Sequence, residues 1–449
     1  MEGRKKILEY FQEQKDVYEQ RVQDGIERYR KGNAKLKVID KNGVSVANAC
    51  VHINQRSHEF RFGANVFLLD GLENLEKKEK YETSFAELFN MATLPFFWDA
   101  LEPERGNPRY AKDSPKFYRR PAPDLCLEFC DRHGIEPREH ALAYDQFFPT
   151  WLSEASVEEV KRVLERRYAE ISERYSDKIH TIEVTNELFW EKGKTRFFDE
   201  PDFVEWCFKL AERYFPNNQL VSNEKTGFCW RDHGRTRDQY YLYLQAAMNH
   251  GARIDAIGMQ YHLFIPKEEM YDRTRLTLNP EKLYHQMDLY ATFRKPLQIT
   301  EVTVPSYSWE AEDEALQAEI IEKLYSIWFS HPSVEQIIYW NLVDGYAHLW
   351  DPSPEKILSS LGDMTIGENY YHGGLLRFDL SPKPAYYKIK ELTQKVWHTE
   401  CAGTTNMDGE FAFRGFYGKY DLEICIEGKT LHREIALSKN TENEFEIRV

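Results

Sequence analysis

The chain has 449 residues, 42% of them hydrophobic, and a net charge of −15. That much apolar material excludes a disordered chain, and the length suits a barrel of about 250 to 350 residues with accessory parts. The acidic balance repels phosphate backbones and anionic lipid, so neither nucleic acid nor a membrane is an expected partner.

Residues 5–31 read as a helix. Ile7, Phe11, Tyr18, Val22, Ile26 and Tyr29 recur at helical spacings, and Gly32-Asn33 stops the run, so an N-terminal helical segment is set at 1–34. Residues 35–60 change to period two. Leu36, Val38, Ala49, Val51 and Ile53 alternate with polar residues around Lys41-Asn42-Gly43, which reads as a hairpin. From 61 to 398, β-rich runs alternate with amphipathic helices such as Ser156–Tyr175 and Glu312–Phe329. Strands are expected at Phe62–Val66, Phe85–Thr93, Arg138–Tyr144, His180–Glu187, Gln219–Asn223, Ile254–Gln260, Leu297–Glu301 and Gln336–Asn341. Eight strands with helical spacers predict an α/β fold of the (β/α)₈ TIM-barrel type. The rival, an open doubly wound sheet, lacks a Gly-rich phosphate turn after its first strand. Residues 399–449 return to strand alternation at Phe411–Phe413, Tyr420–Ile426 and Phe445–Val449. Neither 35–60 nor 399–449 has enough strands to bury a core alone. Asp40–Val51 and Thr404–Leu422, joined end to end, resemble the halves of a transthyretin-like or carboxypeptidase-regulatory-like sandwich. The expectation is a barrel inserted into a small accessory β-sandwich built from both chain ends.

Seven cysteines are scattered without a zinc pattern and read as free thiols of a reducing compartment. No metal or cofactor is expected. The first residues, Met1 to Lys6, are charged, with no apolar signal core. A cytoplasmic location is expected, or secretion if a leader has been removed. No run of about 18 apolar residues suggests a membrane span.

Chemistry in such a barrel sits at the C-terminal strand ends. Ile182-Glu183-Val184-Thr185-Asn186-Glu187 ends the fourth strand, and Leu297-Gln298-Ile299-Thr300-Glu301 ends the seventh. These strands face each other across the mouth, as the two carboxyl groups of a glycosidase must. Glu183 lies deeper by strand alternation and reads as a paired structural carboxylate.

At this point the chain resembles glycoside hydrolase family 10, the family of endo-β-1,4-xylanases, from about Phe60 to Leu392. The motifs, in order, are Phe62-Gly63-Ala64; Phe89-Asn90-Met91-Ala92-Thr93 with Trp98; His140-Ala141-Leu142; Thr185-Asn186-Glu187; Gly258-Met259-Gln260-Tyr261-His262; Ile299-Thr300-Glu301; and Trp340 with Asp344. The resemblance implies a retaining β-glycosidase with Glu187 as acid/base and Glu301 as nucleophile. It further implies that His262 holds Glu301, that Asn186 binds the sugar 2-hydroxyl, that His140 and Gln260 orient the ring or nucleophile, and that Trp340 floors it. Asn90 and Tyr144 complete the expected substrate-binding set. The partner is an oligosaccharide or polysaccharide of xylan type. Departures cluster where sugars bind: Leu94-Pro95-Phe96-Phe97 lacks the family's polar groups, Tyr144-Asp145 and Asn223-Glu224-Lys225 replace other motifs, and His348, with Trp350 nearby, replaces a tryptophan. They point to the same reaction on short or decorated oligosaccharides. The alternatives are a carbohydrate-binding protein without turnover and a metal-dependent lyase or isomerase, for which no ligand cluster is visible.

Overall fold

Several of the β-rich runs between Arg61 and Tyr339 are buried at every position, as in Thr181–Asn186 and Leu297–Thr303. Strands buried on both faces need helices packed over them, which selects parallel pairing. The computed structural model describes residues 6–230, 238–349 and 353–449. Two strands, β1 (Lys31–Ile39) and β2 (Cys50–His58), precede the barrel. The barrel strands are β3 (Arg61–Asn65), β4 (Met91–Pro95), β5 (Glu136–His140), β6 (Thr181–Asn186), β7 (Gln219–Glu224), β8 (Ala256–His262), β9 (Leu297–Thr303) and β10 (Val334–Tyr339). They pair in sequence order, all parallel, and β10 closes on β3. The chain is thus a (β/α)₈ barrel.

One expected strand is corrected. Phe85 to Leu88 belong to the helix Leu75–Leu88, whose Asn74 side chain accepts from the Lys77 N–H. Tyr81, Phe85 and Leu88 are buried at helical spacing, so the run Phe85–Thr93 spans a helix end and then β4.

The accessory domain adds β11 (Glu400–Thr404), β12 (Glu410–Phe416), β13 (Gly418–Ile426), β14 (Lys429–Leu437) and β15 (Glu444–Arg448). One sheet runs β12-β1-β15 and the other β11-β2-β13-β14, so each draws on both chain ends. Between them lie Leu36, Val38, Val51, Ile53, Leu422, Ile424 and Leu437. The expected hairpin is corrected here. β1 and β2 join different sheets and share only a core, and the turn at 41–43 is closed by the lone bridge Ile39–Ser45. Period-two burial is the same whether two strands pair edge to edge or face each other across a sandwich. β1 also begins earlier than the sequence boundary, at Lys31.

The helix Lys15–Tyr29 lies on the barrel helix Ala311–Ser330. Gly25 allows the approach, since a Cβ there would sit 2.5 Å from the Ser330 carbonyl oxygen. Arg30 follows and donates to the carbonyls of Phe329, His331 and Val334. No described helix is long and apolar enough to cross a membrane.

Candidate active site

Parallel strands bring their C-terminal ends to one mouth, where a cavity of about 460 Å³ opens. His140, Tyr144, Asn186, Glu187, Gln260, His262, Glu301 and Trp340 line it, eight of the nine site residues expected from the sequence. Asn90 does not. It precedes β4 at the opposite end of the barrel, where its side chain accepts from the Phe62 N–H and donates to the His58 and Phe60 carbonyls. Its expected sugar contact is therefore corrected to a backbone staple. The resemblance at Asn90 marked the start of a strand, whereas chemistry sits at strand ends.

Local backbone aims the two carboxylates. The β6–β7 register slips between Glu183 and Thr185, and the β8–β9 register slips between Met259 and Tyr261. Such bulges turn the side chains that follow. Glu187 itself has φ 51°, in the left-handed region that non-glycine residues seldom occupy.

Each carboxylate has its own partners. Glu301 Oε1 accepts from Asn223 Nδ2 at 2.7 Å. The Asn223 orientation is fixed because its oxygen accepts from Thr300 Oγ1 at 2.7 Å. Glu301 Oε2 lies 3.1 Å from His262 Nε2, and His262 Nδ1 lies 2.9 Å from Thr303 Oγ1. Burial pulls His262 down to about 4, so its ring is neutral near pH 7. A neutral ring accepting from Thr303 donates to Glu301. Burial pushes Glu301 up to about 8; His140 opposes this, and Glu183 and Glu187 add to it. Glu187 accepts from the Tyr144 hydroxyl at 2.6 Å and from Gln260 Nε2 at 3.3 Å. Lys225 Nζ stands 3.4 Å from Glu187 Oε2 and 3.2 Å from the centre of the Trp190 ring.

Beneath them, Glu183 bonds Arg138 at 2.6 Å and His140 Nδ1 at 2.8 Å, all fully buried. Burial opposes the Glu183 charge, but His140 and Arg138 outweigh it and hold the carboxyl below its ordinary value. Burial likewise opposes charge on His140, yet Glu183 beside it holds the imidazole above its ordinary value. Ligand atoms of His140, Glu183 and Glu301 lie within 4.8 Å of one another, a spacing compatible with a metal. A cation there would have to part His140 from Glu183 beside the Arg138 guanidinium, so the set fits an ion-paired floor better than a metal centre.

Trp340 meets His140, His262 and Phe67 edge-on, forming an aromatic wall. Of the apolar stretch 94–97 at the end of β4, Leu94 and Phe96 are sealed in the core and Phe97 faces the cavity. Asp145 accepts from the Lys194 and Thr195 backbone and from the Thr195 hydroxyl, which pins the loop after β6. His348 lines the cavity, and Trp350 lies outside the described residues. Sequence reasoning gave no role to Asn223, although its place at the end of β7 was a usable signal. Arg119 and Arg120 come from a long loop and Glu368 from the short 3-10 helix Gly367–Tyr371, and none carried such a signal.

The family model for glycosyl hydrolase family 10 matches residues 57–392, well over half of the chain. The chain is 24% identical over 419 residues to the anti-sigma-I factor RsgI6 of Acetivibrio thermocellus, covering 90% of this chain and 46% of that protein. It is 23% identical over 430 residues to endo-1,4-beta-xylanase 2 of Arabidopsis thaliana, covering 94% of this chain and 34% of that one. The chain thus spans less than half the length of these curated relatives. Among solved structures, native xylanase 10B from Thermotoga maritima superposes with a TM-score of 0.58 at 20% identity, over 75% of this chain and 96% of that one. Xylanase 10B from Thermotoga petrophila, in complex with xylobiose, gives 0.58 at 21% identity, over 75% and 95%. The chain belongs to glycosyl hydrolase family 10.

Proposed function

We propose that the chain hydrolyses β-linked xylo-oligosaccharides, or related short or decorated fragments, by double displacement with retention. The observation that carries this reading is the pair Glu187 and Glu301 in one cavity, each held by a different set of partners. Glu187 gives its proton to the leaving oxygen and later takes one from water. Tyr144 and Gln260 hold it in place. Glu301 attacks the anomeric carbon as the carboxylate, oriented by Asn223 and His262. Asn186 Oδ1 accepts from both Asn223 and Gln260, which fixes the amide, and its NH₂, with no acceptor among the described residues, binds the 2-hydroxyl. Trp340 and His140 bound the same sugar. Phe97 stands where the family places polar groups for the sugar two places from the cut, and loss of two or three hydrogen bonds of about 0.5–1.5 kcal/mol each disfavours long chains.

Glu301→Ala should remove nearly all turnover. Glu187→Ala should cost roughly 100-fold or more on natural substrates and far less on aryl glycosides, whose leaving groups need no proton. An inverted first product by NMR, or normal turnover by Glu301→Ala, overturns the assignment. Substrate length is tested by kcat/KM on xylobiose, xylohexaose and xylan; a steep rise with length contradicts the short-substrate reading. A second reading, binding without turnover, draws on the likeness to an anti-sigma-I factor and on the burial that disfavours charge on Glu301. Hydrolysis of an aryl β-xyloside separates the two.

A further inference from the structure

The loop between β4 and β5 brings two guanidinium groups to the cavity, from Arg119 and Arg120. It is tied to the loop after β10, since the Tyr118 hydroxyl donates to the Ala347 carbonyl at 3.0 Å and Arg119 Nη1 to the Tyr346 carbonyl at 2.9 Å. Arg109 donates to the Arg120 carbonyl at 3.2 Å from below. Both guanidinium groups flank the ring of Phe67, at 5.5 and 5.6 Å, and Arg120 lies over Phe97 at 3.7 Å.

Neither arginine makes an ion pair among the described residues. Arg119 is 4% exposed, and its Nε is buried with no hydrogen-bond partner. Arg120 spends one N–H on the Arg119 carbonyl at 3.0 Å. Asp99 and Glu368 are the acidic groups whose field Arg120 feels. Glu368 already accepts from Asn341 at 2.8 Å, and burial pushes Asp99 toward its neutral form. Desolvated guanidinium groups without a counter-charge are costly, and the planar fork matches a carboxylate. The aromatic rings beside them suit the C–H face of a sugar.

We propose that Arg119 and Arg120 form a carboxylate site at the glycone end of the cleft, so that the substrate is an acidic oligosaccharide carrying a uronic acid. The proposal rests on the glycosidase reading and names its substrate class. It also accounts for an apolar wall in place of the family's polar one: ring faces carry the sugar and the arginines carry its charge.

Calorimetric titration of the Glu301→Gln protein tests it. The probes are xylotriose with a glucuronosyl group on its non-reducing-end xylose, the same compound with a glucosyl group, and the methyl ester of the first. The free acid should bind at least tenfold more tightly than the other two. In Arg120→Gln on the same background, that advantage should disappear while affinity for the glucosyl compound stays within twofold. The ester comparison needs no arginine variant, so it stands even if Arg120→Gln misfolds. Equal affinities for acid and ester, or an acid preference that survives in a folded Arg120→Gln protein, overturn the proposal alone. Tight binding of the acid, with no hydrolysis of it by the wild type, supports the site and overturns the glycosidase reading. No binding of any of the three overturns both.

Discussion

Glu301 is held between opposing demands. Asn223 and His262 donate to it as a carboxylate, while burial and the neighbouring carboxylates Glu183 and Glu187 favour its proton. In the proposed double displacement Glu301 attacks in its ionised form, so kcat/KM should fall as pH drops through the Glu301 value. That acid limb should lie well above the ordinary 4.5 and toward 8. A pH–rate profile on an aryl β-xyloside reads it, and a limb near 4.5 would mean the two donors outweigh burial. Glu183 contributes stability instead. Its folded value is lowered, so its contribution is complete above the ordinary 4.5 and is lost as pH falls through the folded value. The raised His140 contributes below its ordinary 6.5, and loses that contribution as pH rises through its folded value. Glu183→Gln strands Arg138 in the barrel and should cost roughly 3–5 kcal/mol at neutral pH. Denaturant melts should show the gap to wild type narrowing below pH 4.5. Residues of this kind were unevenly legible. Glu187 and Glu301 end strands in recognisable motifs, and Glu183 read as paired from its depth. Its partner Arg138 lies on the neighbouring strand, and only the β5–β6 pairing brings them together.

At the scale of elements, packing separates what periodicity leaves merged. The helix Lys15–Tyr29 is anchored by its close approach at Gly25 and by the Arg30 contacts that follow. On helix propensity alone, Gly25→Ala should gain up to about 1 kcal/mol. The 2.5 Å approach to the Ser330 carbonyl reverses the sign, because backbone must move to admit the methyl. A net loss of about 1–3 kcal/mol is expected by chemical denaturation, with activity retained; a more stable variant would show that the helix pair slides freely. The same limit on periodicity explains the two misread elements. Phe85–Leu88 ends a helix that runs almost directly into the apolar run of β4, and β1 and β2 alternate like a hairpin while facing each other across a core.

For the molecule as a whole, the barrel carries the site and both chain ends build the sandwich. Deleting residues 404–449 removes β12 to β15 and uncovers Leu36, Val38, Val51 and Ile53 on β1 and β2. At about 25 cal/mol per Å² of exposed apolar surface, that loss outweighs the stability of a small domain. The truncated protein should aggregate or melt well below the full chain in a thermal scan. Removing β1 and β2 as well should recover more soluble material than removing the C-terminal strands alone. Equal behaviour of full-length and singly truncated protein would mean that the two segments stand independently. The sequence by itself determined the barrel, the accessory strands at both ends and the two carboxylates, because alternation, strand count and strand-end motifs are local. Only the tertiary structure decided which strands face each other, that Asn90 lies at the far end of the barrel, and that Arg119 and Arg120 reach the cleft. Those facts depend on where long loops and distant strands meet in space, and no local period encodes that.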